Sequence, residues 1–255
     1  MIELKKVSAG YEGKTVVQDA TVTFEQGKIT VLVGPNGCGK STLLKSVVGI
    51  VRHTAGDIVI DGTSLQSMNT KQVAKKVAYL AQNKKAPDIS VMKMVLHGRF
   101  AHLSYPRNYR TQDIEIARNA ICWAGLESET ETLVSKLSGG MQQNVYIAMA
   151  LAQDTETILL DEPTTYLDVV HQLQLMELVR KLAREGKAVV MVLHDLSQAL
   201  KIADKVVVMK KGKIIGQGTA DEVYEEGQLQ NAFGVKIEKL ETKRGEIVWH
   251  YSHFL

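Results

Sequence analysis

The sequence is short of cysteine and proline, carries little net charge and contains no long apolar run. Two cysteines, Cys38 and Cys122, cannot build a disulfide framework. They read as reduced thiols, as in a cytosolic protein. Pro35, Pro87, Pro106 and Pro163 all fall at plausible turns, which excludes a proline-rich linker. No run approaches the roughly 20 apolar residues of a membrane helix, so any work at a membrane is done from outside the bilayer. Met1 is followed by Ile2-Glu3-Leu4-Lys5 rather than an apolar stretch, and no secretory leader is expected. Lys plus Arg number 31 against 28 Asp plus Glu, and a net charge of +3 does not point to nucleic acid. What is present is ordinary globular usage: 45% hydrophobic residues in 255 supply a core for one domain, or for one domain carrying a sub-domain.

Residues Ile2 to Phe24 alternate apolar and polar, with turn signals at Ala9-Gly10 and Glu12-Gly13, which predicts antiparallel strands with one face on a core. Short apolar runs follow at Ile29–Val33, Ile58–Ile60, Val77–Leu80, Ile158–Leu160, Val189–Leu193 and Val206–Met209. Helical patterns at Ser41–Ile50, Gly140–Gln153 and Val169–Glu185 separate most of them. Buried strands alternating with helices predict an α/β core sheet, partly parallel. Residues Pro87 to Ser135 lack a strand pattern but hold helical stretches such as Asp113–Gly125, and read as an inserted helical sub-domain. After Gly218 a short helix (Asp221–Glu226) and a strand-like tail are expected.

Gly34-Pro35-Asn36-Gly37-Cys38-Gly39-Lys40-Ser41 fits G-x-x-x-x-G-K-[ST], with a predicted strand before it and a predicted helix after it. The glycines let successive backbone N–H groups turn inward, and the helix N-terminus adds its positive end. Gly34, Asn36, Gly37, Gly39, Lys40, Ser41 and Thr42 are therefore expected nucleotide contacts. Lys40 neutralises β- and γ-phosphate charge, Ser41 offers a hydroxyl to Mg²⁺, and Thr42 is placed for the α-phosphate. A guanine reader is absent, because Asn83-Lys84-Lys85-Ala86 lacks the carboxylate. Tyr11 is a candidate for stacking on the base.

The apolar strand ending in Asp161-Glu162 delivers two acids to the carboxyl edge of the sheet, where α/β ligands bind. Asp161 suits Mg²⁺ and Glu162 suits polarisation of an attacking water. His194 follows another apolar strand and emerges at the same edge, placed to bond the γ-phosphate and Glu162. The other histidines form no ligand cluster, and no transition-metal site is expected.

Leu137-Ser138-Gly139-Gly140 before a long helix completes an ordered set that resembles the ABC-transporter ATPases. In that family's order, Tyr11 matches the aromatic loop, Gly34–Thr42 the Walker A loop, Gln82 the Q-loop and Leu137–Gly140 the signature. Ile158–Glu162 matches Walker B, Leu167-Asp168 the D-loop and His194 the switch histidine. The resemblance covers essentially the whole chain. It implies an α/β P-loop NTPase (RecA-like) core with an antiparallel β subdomain over residues 1–86 and 156–218. It further implies a helical subdomain at 87–155 and a carboxyl extension at 219–255. Asp161-Glu162-Pro163-Thr164-Thr165-Tyr166-Leu167-Asp168 with His171-Gln172, together with Gly98-Arg99 and Ile147–Gln153, is similar to the importer branch serving iron–siderophores, haem and cobalamin.

The resemblance implies ATP and Mg²⁺ as ligands, with Glu162, His194 and Gln82 catalytic and Ser41, Gln82 and Asp161 at the metal. It implies a head-to-tail homodimer in which Ser138, Gly139, Gly140 and Asp168 complete the neighbour's site. The expected partners are integral membrane permease subunits and, indirectly, an extracytoplasmic substrate-binding protein, with no nucleic acid. The expected location is the cytoplasmic face of the membrane, peripherally bound. The signature departs from the family's Gln-Arg-Gln-Arg: here Met141-Gln142-Gln143-Asn144 follows, with Gln142 a candidate for the missing polar contact. Gly98–Arg110 mixes Arg99, Arg107 and Arg110 with Phe100, Tyr105 and Tyr109, and reads as the insert's surface near a permease contact. The alternatives are a soluble non-transport ATPase of this type and a weakly hydrolytic nucleotide-gated scaffold.

Overall fold

A computed structural model describes residues 1–82, 86–165, 167–243 and 245–253. Asn83, Lys84 and Lys85, Tyr166 and Leu255 lie outside the described residues.

The alternating amino-terminal segment forms β1 (Ile2–Tyr11) and β2 (Lys14–Phe24), paired antiparallel. Ile2, Leu4, Val17, Val22 and Phe24 turn to one buried face. After β3 (Ile29–Val33) and α1 (Lys40–Val47), the strands β4 (His53–Ile60) and β5 (Thr63–Ser64) complete a four-stranded sheet ordered β2-β1-β4-β5. This corrects the placing of Ile58–Ile60 in the α/β core sheet. Ile58 and Ile60 are buried, but the alternate residues Asp57 and Val59 are half-buried, and the strand pairs antiparallel with Leu4 and Ile2. Helix α1 also stops earlier than Ile50. Gly49 takes a φ of 73°, and the N–H groups of Gly49 and Ile50 donate to Ser46 O and Lys45 O at 3.1 and 3.0 Å, closing the helix.

Next come α2 (Thr70–Ala74) and β6 (Val77–Leu80), then the helices α3 (Val91–Leu96), α4 (Thr111–Trp123) and α5 (Gly139–Ala152). The chain then alternates through β7 (Thr157–Asp161), α6 (Val169–Arg184), β8 (Ala188–Val192), α7 (Leu196–Ile202), β9 (Lys205–Lys210) and β10 (Lys213–Gly218). The resulting six-stranded sheet runs β10-β9-β3-β8-β7-β6, parallel except for β10 at its edge. Every residue of β3, β7 and β8 is buried, as parallel strands covered on both faces require. Alternate side chains feed two cores. Ile29, Val31 and Val33 meet α5 and α6, whereas Leu32, Leu159 and Val190 meet α1 and the antiparallel sheet.

Inside the insert, Val95, Ala117, Ile121, Val145 and Ala148 pack α3, α4 and α5 together. Arg99 corrects the surface reading of this segment. It is 6% exposed, its Nε donates to Asp113 Oδ1 at 3.0 Å, and a guanidinium nitrogen donates to Ala152 O at 3.0 Å. Arg107, by contrast, lies over the exposed Phe100 ring at 4.5 Å, and Tyr105 is exposed. The carboxyl segment adds α8 (Ala220–Glu225), α9 (Gln228–Phe233) and a hairpin of β11 (Lys236–Glu241) and β12 (Ile247–Ser252). Trp249 is buried edge-on to Tyr224, with ring centroids 5.0 Å apart. Its carbonyl accepts Ser197 Oγ at 2.7 Å, fastening the hairpin to α7.

Candidate active site

Strands β3, β8 and β7 are neighbours and run in the same direction, so the segments after them leave the sheet at one edge. After β3, Gly34 has a φ of 150°, and a Cβ there would run into the Met209 carbonyl. Gly39, at φ 106°, is the left-handed N-cap that starts α1. Lys40, the first residue of α1, is 5% exposed. Its Nζ donates to Gly34 O at 2.7 Å and Pro35 O at 3.1 Å, and lies 3.8 Å from Cys38 Sγ. Burial pushes the Cys38 thiol up against the opposing pull of Lys40, so this cysteine stays a thiol. An ammonium and the amino end of a helix thus share one concave loop, which is suited to polyphosphate.

Ser41 Oγ donates to Asp161 Oδ1 at 2.8 Å, and the Tyr79 hydroxyl donates to Asp161 Oδ2 at 3.1 Å. Burial pushes the Asp161 carboxyl up, and the two hydroxyls pull back only in part. The Tyr79 phenol is raised by burial and by the facing carboxylate, so it stays protonated and donates. Sequence reasoning missed Tyr79. The available signal was a hydroxyl in the middle of an otherwise apolar buried run. The pair of a hydroxyl and a carboxylate oxygen within 2.8 Å is a hard, oxygen-only donor set, which fits a small divalent ion such as Mg²⁺.

Glu162 follows directly, 9% exposed and with a φ of 53°, a left-handed conformation unusual for this residue type. Its Oε1 lies 2.7 Å from His194 Nε2, and its Oε2 accepts from Gln82 Nε2. Two distant segments therefore fix one carboxylate by both oxygens. Lys40, Ser41, Thr42, Gln82, Glu162 and His194 line a cavity of about 440 Å³, together with Tyr11, Val16, Asn36, Gly37 and Gly39. Gly34 contributes through its carbonyl on Lys40, and Asp161 through Ser41.

Ser138, Gly139, Gly140 and Asp168 do not line this cavity. Ser138 is exposed and caps α5 by accepting the Met141 N–H at 3.3 Å. Asp168 caps α6, accepting from the His171 N–H at 2.9 Å and facing its Nδ1 at 2.7 Å. These bonds to His171 hold its carboxyl below the usual range. Gln142 Nε2 donates to Leu137 O of the same turn at 2.9 Å. Gln143 Nε2 donates to Pro163 O at 2.8 Å, tying α5 to the turn after Glu162.

The family model described as ABC transporter matches residues 17–165. The iron(3+)-hydroxamate import ATP-binding protein of Bacillus subtilis is 41% identical over 239 residues, which is 93% of this chain and 89% of that protein. A solved inward-facing structure assigned to the metal-chelate type of ABC transporter superposes with a TM-score of 0.84 at 26% identity, covering 100% of this chain and 97% of that chain. A dimeric bacterial ABC transporter cassette superposes with a TM-score of 0.76 at 27% identity, over 86% of this chain and 99% of that chain. The non-transport and scaffold alternatives gain no support from these relatives.

Proposed function

The chain belongs to the ABC transporter family, and we propose on that premise that it is the ATP-hydrolysing subunit of an importer of metal chelates of the iron–siderophore, haem or cobalamin class. The single observation that carries the chemistry is Glu162, pinned between Gln82 and His194 and facing the cavity that Lys40 and Ser41 line. Lys40 and the loop N–H groups bind the β- and γ-phosphates, Thr42 serves the α-phosphate, and Tyr11 stacks on the base. Glu162 takes a proton from water as the water oxygen bonds to the γ-phosphorus. The bond to the β,γ-bridging oxygen breaks, releasing ADP and phosphate. His194 and Gln82 keep the accepting oxygens in place. Ser41 and Asp161 would hold Mg²⁺, with Gln82 beside them, and the ion would neutralise phosphate charge there.

Ser138, Gly139, Gly140 and Asp168 serve a second copy of the chain. They sit at the amino ends of α5 and α6, outside their own cavity, and α5 offers backbone N–H groups to a neighbour's γ-phosphate. ATP then favours the closed pair, and hydrolysis removes that preference. We divide the chain into a catalytic core (1–86 and 156–218), a helical subdomain (87–155) and a carboxyl extension (219–255). No helix among the described residues is long and apolar enough to cross a membrane, and this reading assigns the pore to separate permease subunits. A groove of about 380 Å³ lined by Lys71, Ala74, Phe100, Leu103 and Arg107 is the surface we assign to a permease helix at the cytoplasmic face. An extracytoplasmic binding protein would deliver the chelate to that permease.

Glu162→Gln tests this reading. Turnover should fall at least ~100-fold while ATP binding persists, and ATP should drive sedimentation of the variant as a dimer. Near-normal turnover removes Glu162 from the base role. Solitary copies in saturating ATP remove the sandwich.

A further inference from the structure

Tyr79 belongs to none of the motifs that carry the family resemblance, yet it touches the carboxylate assigned above to the metal. Strand β6 runs parallel to β7, and Tyr79 pairs with Leu159. Paired residues share a face, and so do residues two apart on one strand. Tyr79, Leu159 and Asp161 therefore stand on the same side of the sheet, toward α1. From there the phenol reaches one rung along to Asp161 Oδ2 at 3.1 Å, while Ser41 Oγ holds Oδ1 at 2.8 Å. Asp161 is 1% exposed, so protein groups rather than bulk water set the plane of its carboxylate.

We propose that Tyr79 is a positioning residue for the divalent cation: its hydroxyl fixes the carboxylate plane of Asp161 so that Oδ1 stays beside Ser41. The inference rests on the reading of Ser41 and Asp161 as the cation pair. Outer partners of metal-binding carboxylates commonly change metal affinity by about 10–100-fold. A phenylalanine keeps the ring against its apolar neighbours and removes one oxygen. It leaves the carboxylate free to turn about its last bond.

The test is calorimetric titration of the full chain with ADP, first in EDTA and then across stepped Mg²⁺ concentrations. For Tyr79→Phe the Mg²⁺ concentration giving half of the metal-dependent gain in affinity should rise about 10-fold. Affinity in EDTA should stay at the wild-type value, and the thermal midpoint should fall by no more than the few degrees that one lost hydrogen bond to a buried carboxylate accounts for. In an Asp161→Asn background, Tyr79→Phe should add nothing. An unchanged Mg²⁺ requirement in Tyr79→Phe overturns the proposal. So does a loss of EDTA-resistant binding with a lowered midpoint, which would assign the hydroxyl to folding alone. If ADP affinity in the wild type ignores Mg²⁺, the cation pair itself is misassigned, and the proposal falls with it.

Discussion

Replacing His194 by alanine isolates one of the two groups that hold Glu162. The wild-type contact is 2.7 Å from Nε2 to Oε1, a bond to a charged acceptor. Such bonds contribute about 1.5–3 kcal/mol, or about 10- to 150-fold in rate if fully realised in the transition state. The His194 side chain is 48% exposed, so water can partly replace it, and Gln82 still holds Oε2. Both facts place the expected loss at the low end, about 10-fold in kcat. Phosphate release at saturating ATP measures the loss, and equilibrium ATP binding should change less than about 2-fold if the histidine acts only through Glu162. In a Glu162→Gln background, His194→Ala should add almost nothing, because residues acting as a unit are not additive. A full multiplicative loss in that background, or an unchanged kcat in the single variant, would refute the claim that His194 works by holding the carboxylate.

Tyr11→Ala should weaken ATP binding by about 5- to 150-fold, the range of about 1–3 kcal/mol for stacking a base on an aromatic ring, and Tyr11→Phe should restore it. Asp113 gives a pH prediction. Burial pushes its carboxyl up, but the Arg110 N–H and the Arg99 guanidinium outweigh burial and hold it below the usual range. Its stabilisation is thus complete above the unfolded value of about 3.9 and is lost as pH falls through the lower folded value. Wild-type thermal midpoints should drop in that acid window, whereas Asp113→Asn should show no such step. At neutral pH the variant should be less stable by about 3–5 kcal/mol, because Arg99 loses its buried partner. Gly98→Ala should cost about 1–3 kcal/mol in denaturant titration, since a methyl there would overlap the Met149 carbonyl oxygen and push the start of the insert off α5.

The parallel core was readable because β3, β7 and β8 are mostly apolar runs, and the phosphate loop because its glycines and lysine form a dense local pattern. β4 was misplaced because only Ile58 and Ile60 reveal its alternation. Its partner β1 lies far back in sequence, and long-range pairing leaves no local trace. Arg99 was read as surface because charged residues are normally solvated. Asp113, 14 residues on, and the Ala152 carbonyl make the interior tolerable for it. Tyr79 was hidden for the opposite reason: within Val77–Leu80 it passes as one more bulky strand former. His194 was expected to bond Glu162, whereas Gln82 was found without its tie to that acid. Their meeting on one carboxylate depends on the strand order and on the left-handed turn at Glu162.

The side-by-side ladders of β3, β8 and β7 have a mechanical corollary. Lateral spacing in a sheet is set at about 4.8 Å by backbone bonding, whatever side chains the strands carry. The lysine-bearing loop, the histidine and the two acids are therefore gauged to one another by peptide geometry, as teeth cut on a single rack. Sliding of the insert or of a docked neighbour can cover or uncover this row without altering its pitch. Drift in the cargo-handling parts of a transporter built on such a cassette need not retune its engine.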